Sequence, residues 1–220
     1  MPTLLSRLEF GASHVYSPRG QTPLSRRSQE LIRQLKRGDP RLFSQFSGRI
    51  LLLAHEGCFP GFFGNTTAVV PVPGSAPLVP GGLWVPHLVA SQFRLFGLAR
   101  EVLPIVSRTV AVPKSAFARP GERPNVRQHY DSLSVEGLTP APTRIVLLDD
   151  VVTQGCTLLA VASRVADVYP KAEVRAFALV RTMSSGEVDH VAGLRPGTLV
   201  SPCVGTIEFR ADSGRASRSP

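Results

Sequence analysis

The feature that most constrains the fold is the run from Ile145 to Thr157, where four apolar residues are followed at once by two acids. Four consecutive apolar residues predict a strand buried on both faces. Asp149 and Asp150 come next, and a short loop containing Thr and Gly then leads into a predicted helix. This order of elements indicates an α/β domain, whose ligands bind beyond the carboxyl ends of the strands.

Each part of this run is suited to binding a sugar phosphate. Adjacent carboxylates accept hydrogen bonds from the vicinal hydroxyls of a ribose, or hold Mg²⁺ directly or through water. Gly155 permits backbone conformations that strain other residues and lets a phosphate approach closely. The N–H groups at a helix start stabilise such a phosphate, and Thr153 and Thr157 add hydroxyl donors. The alternative is the acidic strand end of another α/β protein, such as a response regulator that binds Mg²⁺.

The run resembles the phosphoribosyl-pyrophosphate signature of type I phosphoribosyltransferases, which has apolar residues, two acids and then Thr-Thr/Ser-Gly-x-Thr. It departs from that signature at Gln154, where Thr or Ser is usual. The resemblance implies that Asp149 and Asp150 are the catalytic acids, hold the ribose hydroxyls and are the candidate Mg²⁺ ligands. It also implies a loop for the 5-phosphate, formed by Val151, Val152, Thr153, Gln154, Gly155, Cys156 and Thr157.

A second candidate segment is the apolar run that ends in Pro73, Gly74 and Ser75. It stands in the order in which these enzymes place the loop that receives pyrophosphate, so we expect these three residues to bind it. The VVPVP sequence and the upstream LKRG sequence also resemble ComF-like phosphoribosyltransferases, which are associated with competence. The Arg-Gly-Phe-Asn-Gln stretch usual in that group is replaced here by residues Val79 to Trp84. The alternative is a proline-rich surface turn.

A third candidate is the basic segment from Pro113 to Arg127, which is interrupted by prolines. Strand-like runs at Ile105–Val112 and Gln128–Val135 flank it, which predicts an antiparallel pair with a long mobile tip. The resemblance implies that the tip closes over pyrophosphate, whereas the alternative is an ordinary solvated loop. The candidate contacts in the segment are Lys114, Arg119, Arg123 and Arg127.

Apolar spacing predicts the remaining elements. Helices are expected at Leu24–Gly38 with Ser25 as cap, Arg41–Phe46, His87–Leu103 and Thr157–Tyr169, and strands at Arg49–Ala54, Thr67–Val72, Thr143–Leu148 and Val174–Val180, with a loop over Gly11–Pro23. The predicted organisation is an N-terminal helical region (1–48), a phosphoribosyltransferase domain (49–209) and a mobile tail (210–220). The expected fold is α/β, the type I phosphoribosyltransferase fold: a mainly parallel sheet flanked by helices, with an antiparallel hairpin.

Charge and composition restrict the partners. Lys and Arg number 25 against 16 Asp and Glu, a net charge of +9 that suits a phosphorylated small molecule or nucleic acid. No apolar run approaches the ~20 residues of a membrane helix, and Met1–Phe10 lacks a signal-peptide core, so we expect a cytoplasmic protein without a membrane partner. The three cysteines form no CxxC pair, which argues against a disulfide framework or a structural zinc site.

The predicted function is transfer of ribose 5-phosphate from phosphoribosyl pyrophosphate to a base or amine acceptor, with release of pyrophosphate. Mg²⁺ is the expected cofactor, and the sequence does not identify the acceptor. The alternative function is a non-catalytic regulator with the same fold or a nucleic-acid-binding protein, which the basic charge favours. By resemblance to the family, a homodimer is the expected assembly.

Overall fold

A computed structural model describes residues 4–113, 123–184, 186–187 and 199–219. The helices are α1 (Pro23–Arg37), α2 (Pro40–His55), α3 (Val85–Leu95), α4 (Val126–Asp131) and α5 (Cys156–Val168). The strands are β1 (Arg7–Tyr16), β2 (Gly64–Pro71), β3 (Ala99–Val102), β4 (Val106–Arg108), β5 (Leu133–Val135), β6 (Arg144–Val152), β7 (Glu173–Thr182), β8 (Val200–Arg210) and β9 (Arg215–Ser219).

The strands form a seven-stranded sheet in the order β3-β2-β6-β7-β1-β8-β9, together with a separate antiparallel pair, β4-β5, within the described residues. The pairs from β3 to β1 are parallel, whereas β8 joins β1, and β9 joins β8, in antiparallel orientation. The predicted fold class is therefore confirmed: a mainly parallel sheet flanked by helices, with an additional antiparallel hairpin.

Helices cover both faces of the sheet, as the alternation of side chains along β6 shows. Val146 and Leu148 pack with residues of α1, α2 and α3, whereas Ile145 and Leu147 pack with residues of α4 and α5. All four side chains are buried. Continuous apolar sequence is what a central parallel strand needs, because neither of its faces meets water.

Phenylalanine side chains fill much of the face under α2 and α3. Phe177 lies at the centre, in edge-to-face contact with Phe59 and Phe63, at 5.0 Å between ring centroids in both cases. Burying a side chain of this size contributes about 1.5–3 kcal/mol. Gly11 of β1 lies beside this ring, and a Cβ at Gly11 would lie 2.9 Å from Cδ2 of Phe177. The glycine is therefore needed for close packing inside a strand and does not mark a loop.

Two predictions for the N-terminal part are wrong. The expected loop over Gly11–Pro23 is strand through Tyr16, and the expected strand Arg49–Ala54 is helical, as part of α2. The apolar run RILLLA fits a buried strand or a helix equally well from its sequence. In the helix, Ile50 and Leu53 face the core while Leu52 is 54% exposed. Residues 1–48 are consequently not a separate helical region, because β1 joins the main sheet and the boundary at 48 falls within α2.

Two element boundaries also need correction. The helix expected to run from His87 to Leu103 ends at Leu95, and β3 follows it. Gly97, with a φ of 74°, turns the chain between the two elements. The strand expected at Gln128–Val135 divides into α4 and β5, because Asn125 and Gln128 form a capping box that begins a helix.

The C-terminal segment also needs correction. Residues 210–220 were expected to be a mobile tail, but Arg215–Ser219 forms β9 and pairs with β8. The segment is polar because it lies at the edge of the sheet, where only Ala216 is buried.

Several other predicted helices and strands agree with the structure. Gly38 ends α1 in the left-handed conformation, at a φ of 82°, although Thr22 rather than Ser25 caps the start of that helix. The strands predicted before and after the central helix, and the helix itself, lie within a few residues of β6, β7 and α5. Across the described parts of the chain, no helix combines the length and the apolar character required to cross a bilayer.

Candidate functional site

The candidate site lies where β2 and β6 end. These strands are parallel neighbours, with Pro71 opposite Leu148, and the N–H of Val72 donates to the carbonyl of Leu148 at 2.9 Å. Because the two strands end at the same edge of the sheet, the segment Pro73–Ser75 and the acids at 149 and 150 emerge beside each other. The structure thus brings two separately predicted segments to one edge, as expected for an open α/β sheet.

The two acids differ in their partners. The Oδ1 of Asp149 accepts from the N–H of Asp150 at 2.8 Å, and the Oδ1 of Asp150 accepts from the N–H of Val151 at the same distance. The other oxygen of Asp150 forms an ion pair with Nζ of Lys36, at 2.6 Å. Lys36 lies in the last turn of α1, and no sequence pattern predicts its contact with an acid 114 positions away.

Burial and the neighbouring charge both act on Asp149. Burial, followed by the negative charge of Asp150, raises the pKa of Asp149 well above its usual range, while Lys36 opposes the change. Burial would lower the pKa of Lys36, but the charge of Asp150 and the hydrogen bond to it raise the pKa overall. Hydroxyl donors or a cation from a ligand would stabilise the charged form of Asp149.

The predicted phosphate loop follows these acids and leads into α5. Gly155 is the N-cap of α5 and has a φ of 92°, a conformation that favours glycine. It has no side chain to cap the helix, so the first N–H groups of α5 remain for other acceptors. A Cβ at Gly155 would lie 2.7 Å from Cδ1 of Ile207 on β8. Packing against β8 is thus a further reason for this glycine, one that sequence reasoning missed.

Cys156 contacts the C-terminal hairpin. Its Sγ accepts a hydrogen bond from the N–H of Ala216 on β9, at 3.3 Å. Burial raises the pKa of the Cys156 thiol, and the hydrogen bond from Ala216 opposes that change. A raised pKa keeps the sulfur protonated near neutral pH and makes it a poor nucleophile.

Arg108 of β4 is a residue of the candidate site that sequence reasoning missed. It is 4% exposed. Its Nε donates to the carbonyl of Gly74 at 2.5 Å, and its Nη1 donates to the hydroxyl of Ser132. Its Nη2 is buried without a hydrogen-bond partner in the described structure. Burial lowers the pKa of Arg108, whereas the charge of Asp149 opposes the change. One guanidinium therefore holds the candidate pyrophosphate loop and keeps a donor free.

His129 lies on α4 beside the end of the phosphate loop. Its Nε2 is 3.4 Å from the hydroxyl oxygen of Thr157, and its Nδ1 is buried without a partner among the described residues. Burial, followed by the charge of Arg108, lowers the pKa of His129 to about 4. The ring is consequently neutral at pH 7 and can orient the Thr157 hydroxyl without adding charge.

The four basic residues predicted to cover pyrophosphate have different positions. Arg123 lies beside the phosphate loop, and its Nε is buried without a partner within the described ranges. Arg127 lies on α4, where its Nε is 3.1 Å from a carboxylate oxygen of Asp131. Lys114 and Arg119 lie outside the described residues.

Two cavities adjoin the phosphate loop. The smaller has a volume of about 40 Å³ and is lined by Asp149, Arg123 and the loop from Val151 to Leu158, among other residues. The larger, of about 790 Å³, opens on the side of β7, β1 and the β8–β9 hairpin. The two cavities share Arg123, Thr153 and Gln154 as walls.

The acids alone do not make a complete protein metal site. Among the described residues, no group of three or more His, Cys, Asp or Glu side chains gathers in a way that would hold a metal ion. Mg²⁺ prefers oxygen ligands and commonly takes most of them from water and substrate phosphates. The pair at 149 and 150 fits that mode, with one oxygen of Asp150 already held by Lys36.

Comparison with known proteins adds a structural likeness. No protein-family model matches the sequence, and no curated protein matches it significantly. A solved structure that does match is a hypoxanthine phosphoribosyltransferase from Staphylococcus aureus, at 8% sequence identity and a TM-score of 0.37. The match covers 64% of this chain and 73% of that one.

Proposed function

We propose that the chain binds phosphoribosyl pyrophosphate and transfers its ribose 5-phosphate to a nitrogen acceptor. The observation that carries this proposal is the meeting of three segments at one edge of the sheet. Asp149 and Asp150 end β6, the Thr153–Thr157 loop opens α5, and the Pro73–Ser75 loop follows the neighbouring strand. The two acids supply acceptors for the ribose hydroxyls, and the loop at the start of α5 supplies N–H and hydroxyl donors for the 5-phosphate. The Pro73–Ser75 loop lies beside them and is the proposed binding segment for pyrophosphate.

In this proposal the acids orient the ribose and the loops hold the charged ends. Asp149 and Asp150 accept hydrogen bonds from the ribose hydroxyls, and the N–H groups and hydroxyls of Thr153–Thr157 hold the 5-phosphate. Arg108, with its unpartnered Nη2 and its bond to Gly74, is placed to donate to pyrophosphate. Charge-assisted hydrogen bonds of this kind are the strong ones in proteins.

The reaction proposed is a substitution at C1 of the ribose. The lone pair of the acceptor nitrogen forms the new N–C1 bond, and the C1–O bond to pyrophosphate breaks, with its electron pair leaving on pyrophosphate. The acceptor nitrogen then loses its proton. Positive charge develops at C1 in the transition state, so positioning and charge stabilisation are the main contributions of the protein. No covalent enzyme intermediate is needed, in keeping with the protonated thiol of Cys156.

Mg²⁺ would bind mainly to the diphosphate, with Asp149 or Asp150 as ligands directly or through water. Its contribution would be to neutralise charge on the leaving group. The protein itself would contribute the two acids, with Lys36 beside them. Release of Asp150 from Lys36 would give the metal a further oxygen.

The direct test is a calorimetric titration with phosphoribosyl pyrophosphate, with and without Mg²⁺, followed by assay of pyrophosphate release with a panel of bases and amines. We expect Mg²⁺-dependent binding that is lost in Asp149→Asn/Asp150→Asn, because amides cannot replace charge-assisted bonds that contribute about 1.5–3 kcal/mol each. Asp131→Asn is the matched control, since that acid pairs with Arg127 on the surface. Equal affinity in the double variant and the wild type would contradict the proposed site.

A further inference from the structure

The larger cavity is lined by far more positive than negative side chains. Its described walls include a single acid, Glu187, against five arginines: Arg19, Arg123, Arg210, Arg215 and Arg218. Its volume of about 790 Å³ falls within the range of small-molecule sites, roughly 300–1,000 Å³. A concave site with so unequal a charge balance suits an anionic ligand.

Arg218 is held in place by two hydrogen bonds to the protein backbone. Arg218 donates from Nη2 to the carbonyl of Thr182 at 2.5 Å and from Nη1 to the carbonyl of Val152 at 3.4 Å. Both acceptors are neutral, so no acid compensates the guanidinium through these bonds. Burial, followed by the charge of Arg181, lowers the pKa of Arg218, and the charges of Cys203 and Glu187 oppose the change only in part. An anion bound nearby would relieve this repulsion.

Arg123 gives independent evidence for a missing partner. Its Nε is buried and has no hydrogen-bond acceptor in the part of the chain that the structure describes. A buried donor without an acceptor is unfavourable, and such groups in native proteins call for an explanation. Arg123 lines both the large cavity and the small one at the phosphate loop. A ligand that supplies its acceptor would therefore lie at the junction of the two.

The position of the cavity relates it to the proposed reaction. Thr153 and Gln154, which belong to the candidate 5-phosphate loop, also form part of its wall. An acceptor must approach the ribose that is held by this loop and the acids before it. The large cavity adjoins this loop and is large enough to hold a small-molecule acceptor. The segments that follow β1 and β7 form part of its boundary.

We propose that the arginine-lined cavity binds the acceptor, and that the acceptor is an anion: a heterocycle or amine that carries a carboxylate or phosphate group. This inference rests on the proposed phosphoribosyl transfer and specifies its second substrate. The anionic group lies against the arginines, and the reacting nitrogen points toward C1 of the ribose that Asp149 and Asp150 orient.

The test uses two pairs of probes that differ in charge: orotate with uracil, and nicotinate with nicotinamide. Calorimetry would measure the affinity of each probe for the protein saturated with phosphoribosyl pyrophosphate and Mg²⁺. We expect the anionic member of at least one pair to bind about tenfold more tightly or better, as one charged hydrogen bond is sufficient for that ratio. The absence of an anionic preference in both pairs would overturn the inference.

The variant for this test is Arg19→Gln/Arg210→Gln, because both side chains are exposed and their replacement should leave the fold intact. The matched control is Arg33→Gln/Arg94→Gln, which removes the same charge from exposed positions on α1 and α3. We expect the first variant alone to lose affinity for the anionic probe, about tenfold. Equal losses in both variants would mean that the preference reflects net charge and that the cavity is not the site.

The same titrations separate this inference from the proposed function. Phosphoribosyl pyrophosphate should bind the arginine variant as tightly as it binds the wild type, because Arg19 and Arg210 are not in the proposed binding machinery for that ligand. If that ligand binds and the anionic preference is absent, the inference alone fails. If that ligand does not bind the wild type at all, the proposed function fails, and the assignment of the cavity to an acceptor fails with it.

Discussion

The ion pair between Lys36 and Asp150 adds to the candidate site a residue that lies outside the motif containing the two acids. The acids lie where the sequence pattern predicted them, near the end of an apolar strand, and their role in binding stays a prediction. Lys36 is 114 positions away, and its role follows from the packing of α1 above the sheet. Arg108 is a similar case, since a lone arginine in a short strand carries no motif. A local sequence pattern predicts which residues lie together on one element. Contacts between residues on different elements can be identified only once the fold is known.

Replacing Lys36 should change metal affinity more than stability. Its side chain is 57% exposed, so the pair contributes at most about 1 kcal/mol to folding. Lys36→Met would leave two adjacent carboxylates without their cation, so we expect the free protein to bind Mg²⁺ more tightly, by about tenfold. Isothermal titration with Mg²⁺ measures this, with Lys171→Met as the control at an exposed position. Unchanged affinity would show that the acids do not bind the ion.

Gly155→Ala should destabilise the protein by roughly 1–3 kcal/mol. The added Cβ would meet Ile207 at 2.7 Å, in a backbone conformation with a φ of 92°. Urea denaturation would measure the loss, and Ile207→Val should recover part of it by removing the nearest atom. Gly74→Ala is the control, because a Cβ there meets nothing within 4 Å. A loss as large at Gly74 as at Gly155 would refute this account.

At the scale of elements, agreement between sequence and structure depends on how unambiguous the local pattern is. The strand at Ile145–Leu148 and the following helix have a clear change of period and a glycine at the junction, and both were predicted. The run Arg49–Ala54 is almost continuously apolar, so its pattern fits a helix and a buried strand equally well. Packing against the sheet decides that it is helical. The polar strand β9 has almost no apolar pattern of its own and exists because β8 offers an edge to pair with.

Removing residues 211–220 tests whether β9 supports the site. The truncated chain loses the pairing with β8 and the hydrogen bond from Ala216 to Cys156. We expect a lower free energy of unfolding, by about 1–3 kcal/mol, and faster reaction of Cys156 with a thiol reagent, located by peptide mass spectrometry. Removing only residues 219–220 is the control and should change neither property. Equal reactivity of Cys156 in both shortened chains would mean that β9 does not shield the loop.

At the scale of the whole molecule, two histidines, His129 buried and His14 half-buried, link stability to pH. Burial, followed by the charge of Arg49, lowers the pKa of His14 to about 4, and the pKa of His129 is also lowered to about 4. The ordinary pKa is 6.5. Between these values the unfolded chain binds protons that the native chain does not, so stability falls as the pH drops from 6.5 toward 4. The raised pKa of Asp149 acts in the opposite direction.

We expect each histidine to lower the free energy of unfolding by roughly 2 kcal/mol between pH 7 and pH 5. Denaturant unfolding at a series of pH values gives the slope for the wild type and for His14→Gln and His129→Gln. Each variant should have a flatter dependence than the wild type over this range, whatever its absolute stability, since the contribution of Asp149 is common to all three. Parallel curves would show that neither ring is held neutral by the fold.

The place of β1 within the sheet has a consequence for synthesis on the ribosome. This first strand lies between β7 and β8, and its contacts reach residues 166 and 199 positions later in the chain. At translation rates of about 5–20 residues per second, β1 waits roughly 10–40 s for those partners. During this time its apolar residues Leu8, Phe10 and Val15 are without the strands that bury them. The nascent chain therefore presents an unpaired apolar strand until β7 and β8 have been made, which is the kind of segment that chaperones protect from aggregation.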